Sequence, residues 1–419
     1  MAAADSGQAR IEWADAQMPV LAQVRERLAR ERPLQGIRIA ACLHVTAETA
    51  NLMRALLAGG AQVGLCAANP LSTQDDVAVA LSERHGANVR SRHGESAQDY
   101  AAHVAAMVQS EPQITIDDGA DLIGAIHDTR PEWAAQMLGG TEETTAGLLR
   151  VRGLESQGKL ACPVLAVNES RTERALNDRF GTGQSTVDGI LRATNLLLAG
   201  RTVVVLGYGP TGRGVALRSH GAGASVIVCE VDPLRALEAR MEGYEVMPAL
   251  AACEHGDVFV TVTGGRDVLR AEHMRVMKDG AVLANAGHFD VEISLADLDE
   301  LAEGRRREVL PLVEQFTLPS GNRVNLLAQG RVVNLAAGQG HPAAVMDISF
   351  AAQALCVEYL VAGAGELERR VLAVPAQIDS EVARLKLDSL GVQIDELTDA
   401  QREYRSAWGF AREPHGGGA

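Results

Sequence analysis

With 419 residues and 47% apolar content, the chain is long enough for two or three domains with full cores. A net charge of −15 argues against nucleic acid as a partner, because phosphate binding needs a basic face. The start, MAAADSGQARIEWAD, carries acids early and lacks an apolar h-region, so no secretory signal is read there, and no apolar run is seen that approaches the ~20 residues of a bilayer span. No membrane is therefore expected. Cys42, Cys66, Cys162, Cys229, Cys253 and Cys356 lie scattered in apolar contexts without a C-x-x-C pair. That predicts reduced, buried thiols in a cytoplasmic protein, with no metal site or disulfide framework.

In chain order, residues 18–30 read as an amphipathic helix, and 38–43 (RIAACL) as a strand running into His44, Thr46 and Glu48. A helical pattern follows over 50–57, then a strand over 62–67 that ends in the polar loop Asn69, Ser72, Thr73. A helix around 100–109 leads to a strand at 113–116, which delivers Asp117, Asp118 and Gly119. An apolar stretch at 133–138 precedes the loop Thr141, Glu142, Glu143, Thr144, Thr145, and 161–167 is a strand ending at Asn168. Alternating strands and helices, with polar loops after the strands, predict an α/β sheet that binds ligands beyond the carboxyl ends of its strands.

Residues 202–232, TVVVLGYGPTGRGVALRSHGAGASVIVCEVD, are the most informative stretch. An apolar, β-branched run at 203–206 reads as a buried strand. Gly207, Gly209 and Gly212 follow with the spacing G-x-G-x-x-G. Gly207 allows the tight turn, Gly209 lets a pyrophosphate approach the backbone, and Gly212 lets the helix pack on the sheet with its N-terminus facing the anion. A second strand then delivers Glu230 about 20 residues after the turn, where a carboxylate takes a ribose 2′-hydroxyl. A 2′-phosphate would be repelled, so NAD is expected rather than NADP.

Further strands are read at 258–262, at 281–284 before Gly287, His288 and Phe289, and at 331–335 before Gly340, His341 and Pro342. Residues 346–361 form a long, mostly apolar helix that returns to the first domain, and from 371 the chain becomes a charged helical tail ending near Trp408. The final HGGGA is expected to be mobile. The expected fold is α/β: two doubly wound parallel-sheet domains, a discontinuous one (1–183 and 342–372) and a Rossmann domain (184–341), plus a small helical C-terminal segment (373–419) that serves oligomerisation. His44, Asp118, Glu143, His288 and His341 each fall at a strand or loop boundary. Bracketing a dinucleotide site, they read together as a cleft lined by acids and bases.

The sequence resembles the S-adenosyl-L-homocysteine hydrolases from about Met18 to Trp408. The motifs are specific: ACLHVTAETA, NPLSTQDD, IDDGADL, GGTEETTAG, FGTGQSTVDGI, GYGPTGRG, EGYEVMP, MKDGAVLANAGHFDVEI and NLAAGQGHP. The short tail is similar to that of the archaeal-type branch. The resemblance implies a homotetramer acting on an adenine nucleoside with tightly bound NAD. In such enzymes hydride leaves the ribose 3′ carbon, a base removes the acidified 4′ hydrogen, and the 5′ substituent departs. Water then adds to the exocyclic alkene and the ketone is reduced back. Carried over by motif, His44 and Asp118 match the acid/base groups near the 4′ and 5′ positions. Glu143 matches the group on the 2′-hydroxyl side, and Thr46 and Glu48 match adenine contacts. His288 and His341 match the histidines that close over the sugar and leaving group. Thr261 and Asn334 fall in segments lining the nicotinamide. Thr144 and Thr145 are assigned to the cofactor and Met346 to the substrate.

The likeness breaks within VNESRTERALNDRFGTGQS. Where the family has lysine, then aspartate four residues later and asparagine after it, this chain has Glu173, Asn177 and Asp178. Four residues make one helical turn, so the first two share a face. In the family they hold and deprotonate the 3′-hydroxyl. The formal charge of the three goes from zero to −2. Ala146 stands where the family has a third threonine, and Arg174 would point about 100° from Glu173 on an α-helix. Three readings follow. The first keeps the oxidation with Glu173 as base and stops after elimination, making an exo-glycal adenine nucleoside of the angustmycin type. The second is hydrolysis of S-adenosylhomocysteine. The third is binding of nucleoside and NAD without catalysis.

Overall fold

The computed structural model describes residues 2–406. Two seven- and eight-stranded sheets carry the chain. The first holds β1 (Arg38–Leu43), β2 (Gln62–Ala67), β3 (Asn88–Arg90), β4 (Ile114–Asp117), β5 (Gly139–Glu142) and β6 (Val164–Ala166). The second holds β7 (Thr202–Leu206), β8 (Ser225–Cys229), β9 (Glu245–Val246), β10 (Val258–Thr261), β11 (Ala281–Asn285), β12 (Arg306–Leu310), β13 (Val313–Thr317) and β14 (Arg323–Leu327). Finally β15 (Val371–Ala373) returns to the edge of the first sheet beside β6.

The two sheets share one spatial plan. The first runs β3-β2-β1-β4-β5-β6-β15, all parallel, and the second runs β9-β8-β7-β10-β11-β14, parallel, before an antiparallel pair β13-β12 closes its edge. In each, strand order reverses beside the first strand, between β1 and β4 and between β7 and β10. An open α/β sheet binds ligands at that reversal. The inner strands β1, β7, β10 and β11 are almost wholly apolar and buried because helices cover both faces. Along β1, Ile39, Ala41 and Leu43 pack into one core while Ala40 and Cys42 pack into another. Along β7, Val203 and Val205 face one core, Val204 and Leu206 the other. All six cysteines are buried and unpaired.

Several elements differ from the expectation. A helix, Ala2–Asp15, precedes the first one read and packs on the helix Asp75–His85. β5 went unread because GGTE has poor strand propensity, yet it sits centrally, between β4 and β6. Residues 331–335 do not form a strand: Val333–Ala336 is a helical turn, and β14 is the strand of that region. The absence of a membrane-length run is also corrected. Ala343–Ala362 is 20 residues long and apolar enough to cross a bilayer by length and composition, but it lies mostly buried in the first core. Its polar positions explain why it belongs there. Asp347, fully buried, accepts the Val20 and Leu21 N–H groups at the start of the helix Pro19–Glu31 and pairs with Lys386 Nζ at 2.8 Å. The segment after 373 does not trail away at once: the helix Ala376–Ser389 inserts Ile378 and Val382 into the same core. Trp408 and the HGGGA end lie outside the described residues.

Candidate active site

A single cavity of about 1330 Å³ runs from the β7 turn to the carboxyl ends of β1 and β4, lined from both domains. At the β7 end the residues fit a dinucleotide. Gly207 has φ +108°, a conformation that favours glycine. A Cβ at Gly212 would stand 2.0 Å from the Gly207 carbonyl oxygen, so only glycine lets the helix Pro210–Gly221 sit this close to the turn. A Cβ at Gly209 would meet only the Arg235 guanidinium, 3.7 Å away, which leaves its backbone open toward the cavity. Glu230 is held rigidly: its carboxylate accepts the N–H groups of Tyr208 at 2.7 Å, Val231 at 2.7 Å and Asp232 at 3.0 Å. Open backbone, a helix N-terminus, a cation and a fixed acid make up the donor and acceptor set that a pyrophosphate and a diol require. Gly212→Ala is expected to lower NAD affinity more than ~100-fold and stability by about 1–3 kcal/mol through overpacking. NAD titration by protein fluorescence and thermal unfolding measure the two effects.

The remaining cofactor assignments separate. Asn334 lines the cavity; its Nδ2 donates to Ser185 Oγ at 3.2 Å, leaving a buried Oδ1 without a partner. Thr261 does not reach the cavity. It is fully buried and donates to Asn285 Oδ1 at 3.1 Å, while Val262 and Thr263 after it form the wall. A strand places successive side chains on opposite faces, so a one-residue error in the assignment reverses direction. Thr144 and Thr145 line the cavity, but the Thr144 hydroxyl donates to Glu142 at 2.7 Å and accepts from Gly147 N–H at 3.0 Å. Thr145 donates to Asn168 Oδ1 at 2.9 Å.

On the first-domain side, His44 Nε2 lies 3.2 Å from Asp118 Oδ2, and His288 Nδ1 lies 3.7 Å from Asp118 Oδ1. Ser72, a residue the motif reading left without a role, fixes the imidazole. Its hydroxyl donates to the Asn69 carbonyl at 2.7 Å, so it accepts from His44 Nδ1–H, also at 2.7 Å. Nε2 then faces the carboxylate, and the pair needs one proton between them. Such a pair can give or take that proton. Burial and the nearby His288 lower the His44 pKa, against the pull of Asp118. Burial and His44 bring His341 down to about 4, so this ring is neutral near pH 7; its Nε2 lies 3.0 Å from Thr182 Oγ1. Thr46, Glu48 and Met346 line the same end of the cavity. Thr46 also caps the helix Ala47–Ala58, accepting Thr49 N–H at 3.4 Å. Burial raises the Glu48 carboxyl.

Residues Glu173–Thr182 form a π-helix rather than an α-helix. Its wider turn advances about 80° per residue, so Asp178, five residues on, falls within about 50° of Glu173 instead of about 140°. All three of Glu173, Asn177 and Asp178 line the cavity. Arg174 lines it too, beside Asp178, and pairs with Glu169 at 3.5 Å. Glu173 is 1% exposed; its Oε2 accepts Asn177 Nδ2 at 2.6 Å, and the same amide donates to Ser349 Oγ at 2.8 Å. Opposite, Glu143 Oε2 accepts Gln353 Nε2 at 3.0 Å. Ser349 and Gln353, four apart on the apolar helix, were missed; two polar residues at one helical spacing in an apolar run were the available signal. Glu173 Oε1, Asn177 Oδ1, Glu143 Oε1 and Asp118 Oδ1 are buried acceptors without a partner. Four unpartnered oxygens on residues that line one cavity suit a ligand rich in hydroxyls, which both donate and accept.

Burial raises the Glu173 carboxyl to about 7, with Asp178 adding to it, and pushes Glu143 well up, with Glu173 adding to that. The folded state therefore keeps protons that the unfolded chain releases near pH 4.5, so this cluster stabilises below that pH and its contribution is lost as pH rises through about 7. The melting temperature of ligand-free protein is expected to fall by several degrees between pH 5 and pH 8, about half as steeply in Glu173→Gln, read by scanning calorimetry.

Paired switch-point crevices, a dinucleotide turn in one and an acid/base set in the other, define an α/β enzyme that works with a dinucleotide. The S-adenosyl-L-homocysteine hydrolase family model matches residues 1–137, and the model of that family's NAD-binding domain matches residues 178–340. Adenosylhomocysteinase of Aquifex aeolicus is 55% identical over 97% of both chains, and that of Saccharolobus solfataricus is 53% identical over 97% of both. The S-inosyl-L-homocysteine hydrolase of Methanopyrus kandleri is 50% identical, covering 97% of this chain and 95% of its own. The chain belongs to the S-adenosyl-L-homocysteine hydrolase family and uses NAD.

Proposed function

We propose that this family member is an adenine-nucleoside dehydratase, forming an exo-glycal by loss of the 5′-hydroxyl as water. The observation that carries the reading is Glu173, a buried carboxyl that lines the cavity and keeps one oxygen without a partner, where the family has a lysine. NAD, when bound, supplies reversible removal of hydride from the sugar 3′ carbon, so the net reaction involves no redox change. Glu173 accepts the proton of the 3′-hydroxyl, and Asn177, itself bonded to Ser349, holds its other oxygen. Glu143 and Asn177 accept the remaining sugar hydroxyls. The His44–Asp118 pair takes the 4′ proton and delivers a proton to the departing 5′ oxygen; the C4′–H electron pair becomes the C4′=C5′ bond as C5′–O breaks. A hydroxyl leaves only when protonated, and a wall of high-pKa carboxyls with one shared proton on His44–Asp118 suits that need.

Hydrolysis of an S-nucleosyl-homocysteine is the second reading. It is favoured by the names of the relatives and by the retained His44, Asp118, Glu143, His288 and His341. Incubation with S-adenosylhomocysteine, adenosine and psicofuranosyl adenine, followed by mass spectrometry, separates the two. Loss of one water from a nucleoside supports the dehydratase; release of homocysteine with no dehydration overturns it. No turnover and no absorbance at the reduced-nicotinamide band would leave a binding protein. A homotetramer and a cytoplasmic location remain proposals taken from the family and from composition.

A further inference from the structure

Glu142 is fully buried at the end of β5, in register with Asp117 of β4. It lies off the cavity wall, and no step above uses it. Its Oε1 accepts three donors: Gly119 N–H at 2.9 Å, Thr144 N–H at 2.9 Å and the Thr144 hydroxyl at 2.7 Å. Those donors come from the two loops that carry Asp118 and Glu143. Gly119 is also where the second domain touches down, since a Cβ there would stand 3.0 Å from His288 Nε2. Asp117 braces the same loop from its other end by accepting Leu122 and Ile123 N–H at 2.8 and 3.2 Å.

We infer that Glu142 is a positioning residue: one of its oxygens fixes the separation of Asp118 from Glu143 and holds the Gly119 peptide on which His288 rests. The strand ends alone do not do this. Backbone pairing of β4 with β5 stops at Asp117 and Glu142, and the proton-transfer groups lie just past that point. The Asp118 and Glu143 backbones are tied to β1 and β4 by one N–H each, to the Cys42 and Asp117 carbonyls. The carboxyl crosslinks the loops at the Gly119 N–H, beside Arg150 Nη1, which donates to the Gly119 carbonyl at 2.5 Å from the helix Thr145–Ser156. Its Oε2 is buried without a partner, and burial with Asp117 and Asp118 nearby pushes the carboxyl well above its usual range. A proton on Oε2 removes the charge and leaves the three bonds on Oε1 intact. Glutamine reproduces that arrangement, aspartate is one methylene short of it, and alanine abolishes it.

The test uses NAD-loaded enzyme with adenosine in D2O, following deuterium entry at C4′ by NMR, and reads amide protection at residues 119 and 144 by hydrogen exchange. Glu142→Ala is expected to slow C4′ exchange about 100-fold while adenosine affinity changes less than about threefold, as a displacement near 1 Å of the transfer groups demands. Glu142→Gln is expected to stay within about fivefold and to keep both amides protected. If the alanine variant does not fold, Glu142→Asp takes its place, with both amides deprotected. Exchange in the alanine or aspartate variant within about threefold of the parent, or an equal loss in the glutamine variant, overturns the inference. The amide readout needs no turnover: protection unchanged in Glu142→Asp overturns it as well.

Discussion

Glu173→Gln is expected to slow oxidation of the sugar by about a thousandfold, the range lost when a general base is removed. The amide keeps the acceptor for Asn177 Nδ2, the volume and the burial, so NAD affinity should hold within about twofold. What disappears is the capacity to take a proton. With the Glu173 carboxyl near 7, the parent rate of nicotinamide reduction on mixing with nucleoside should rise with pH through that value and then level. In the variant the rising limb should vanish. Stopped-flow absorbance at the reduced-nicotinamide band reads both effects. A variant that stays within tenfold of the parent, with its rising limb intact, assigns the base elsewhere. The same carboxyl ties activity to stability with opposite signs. Rising pH ionises Glu173 for catalysis and simultaneously adds an uncompensated charge to a buried wall. The enzyme is thus expected to be most active where its ligand-free form is less stable, a trade that bound hydroxyl donors relieve.

The second large effect concerns which substrate is used. Changing Glu173→Lys, Asn177→Asp and Asp178→Asn together returns the formal charge of the three positions from −2 to zero. It also converts a wall of acceptors into one with a cationic donor. Release of homocysteine from S-adenosylhomocysteine should rise about 100-fold and dehydration should fall about a thousandfold, because a donor lost or gained against a buried hydroxyl shifts discrimination by those amounts. All three changes are needed. The lysine must have its aspartate four residues on, and the π-helix turns position 178 into the same wall, where a remaining Asp178 would keep one unmatched charge. If product ratios in the triple variant match the parent, specificity resides outside these positions, and the Glu143–Gln353 side of the wall becomes the place to look.

Much of this protein was legible because the signals are local. The G-x-G-x-x-G turn needs only its own strand, helix and following acid, and Gly207, Gly209, Gly212 and Glu230 stand in the geometry their spacing implies. Tertiary context decided the rest. GGTE makes a central strand because its neighbours on both sides are already paired, a gain that outweighs weak propensity. Residues 331–335 look like a strand by composition, but the place in the sheet beside β11 goes to β14, and the segment curls into a helical turn against Gly189. Thr261 shows the limit of motif transfer: its segment lines the cavity through Val262 and Thr263, while its own side chain is buried against Asn285.

The amino-acid order by itself determined two doubly wound sheets and a dinucleotide turn, because each rests on periodicity or spacing within about 30 residues, while the acid/base roles and the place where the pattern breaks came from the resemblance to the family. Only the folded chain decided how those residues act together. It set the π-helix that brings Asp178 round to Glu173, the buried Ser349 and Gln353 that bond the Asn177 amide and the Glu143 carboxyl, and the crosslink from Glu142. These are contacts between segments far apart in the chain, and their energies depend on burial that no local pattern records.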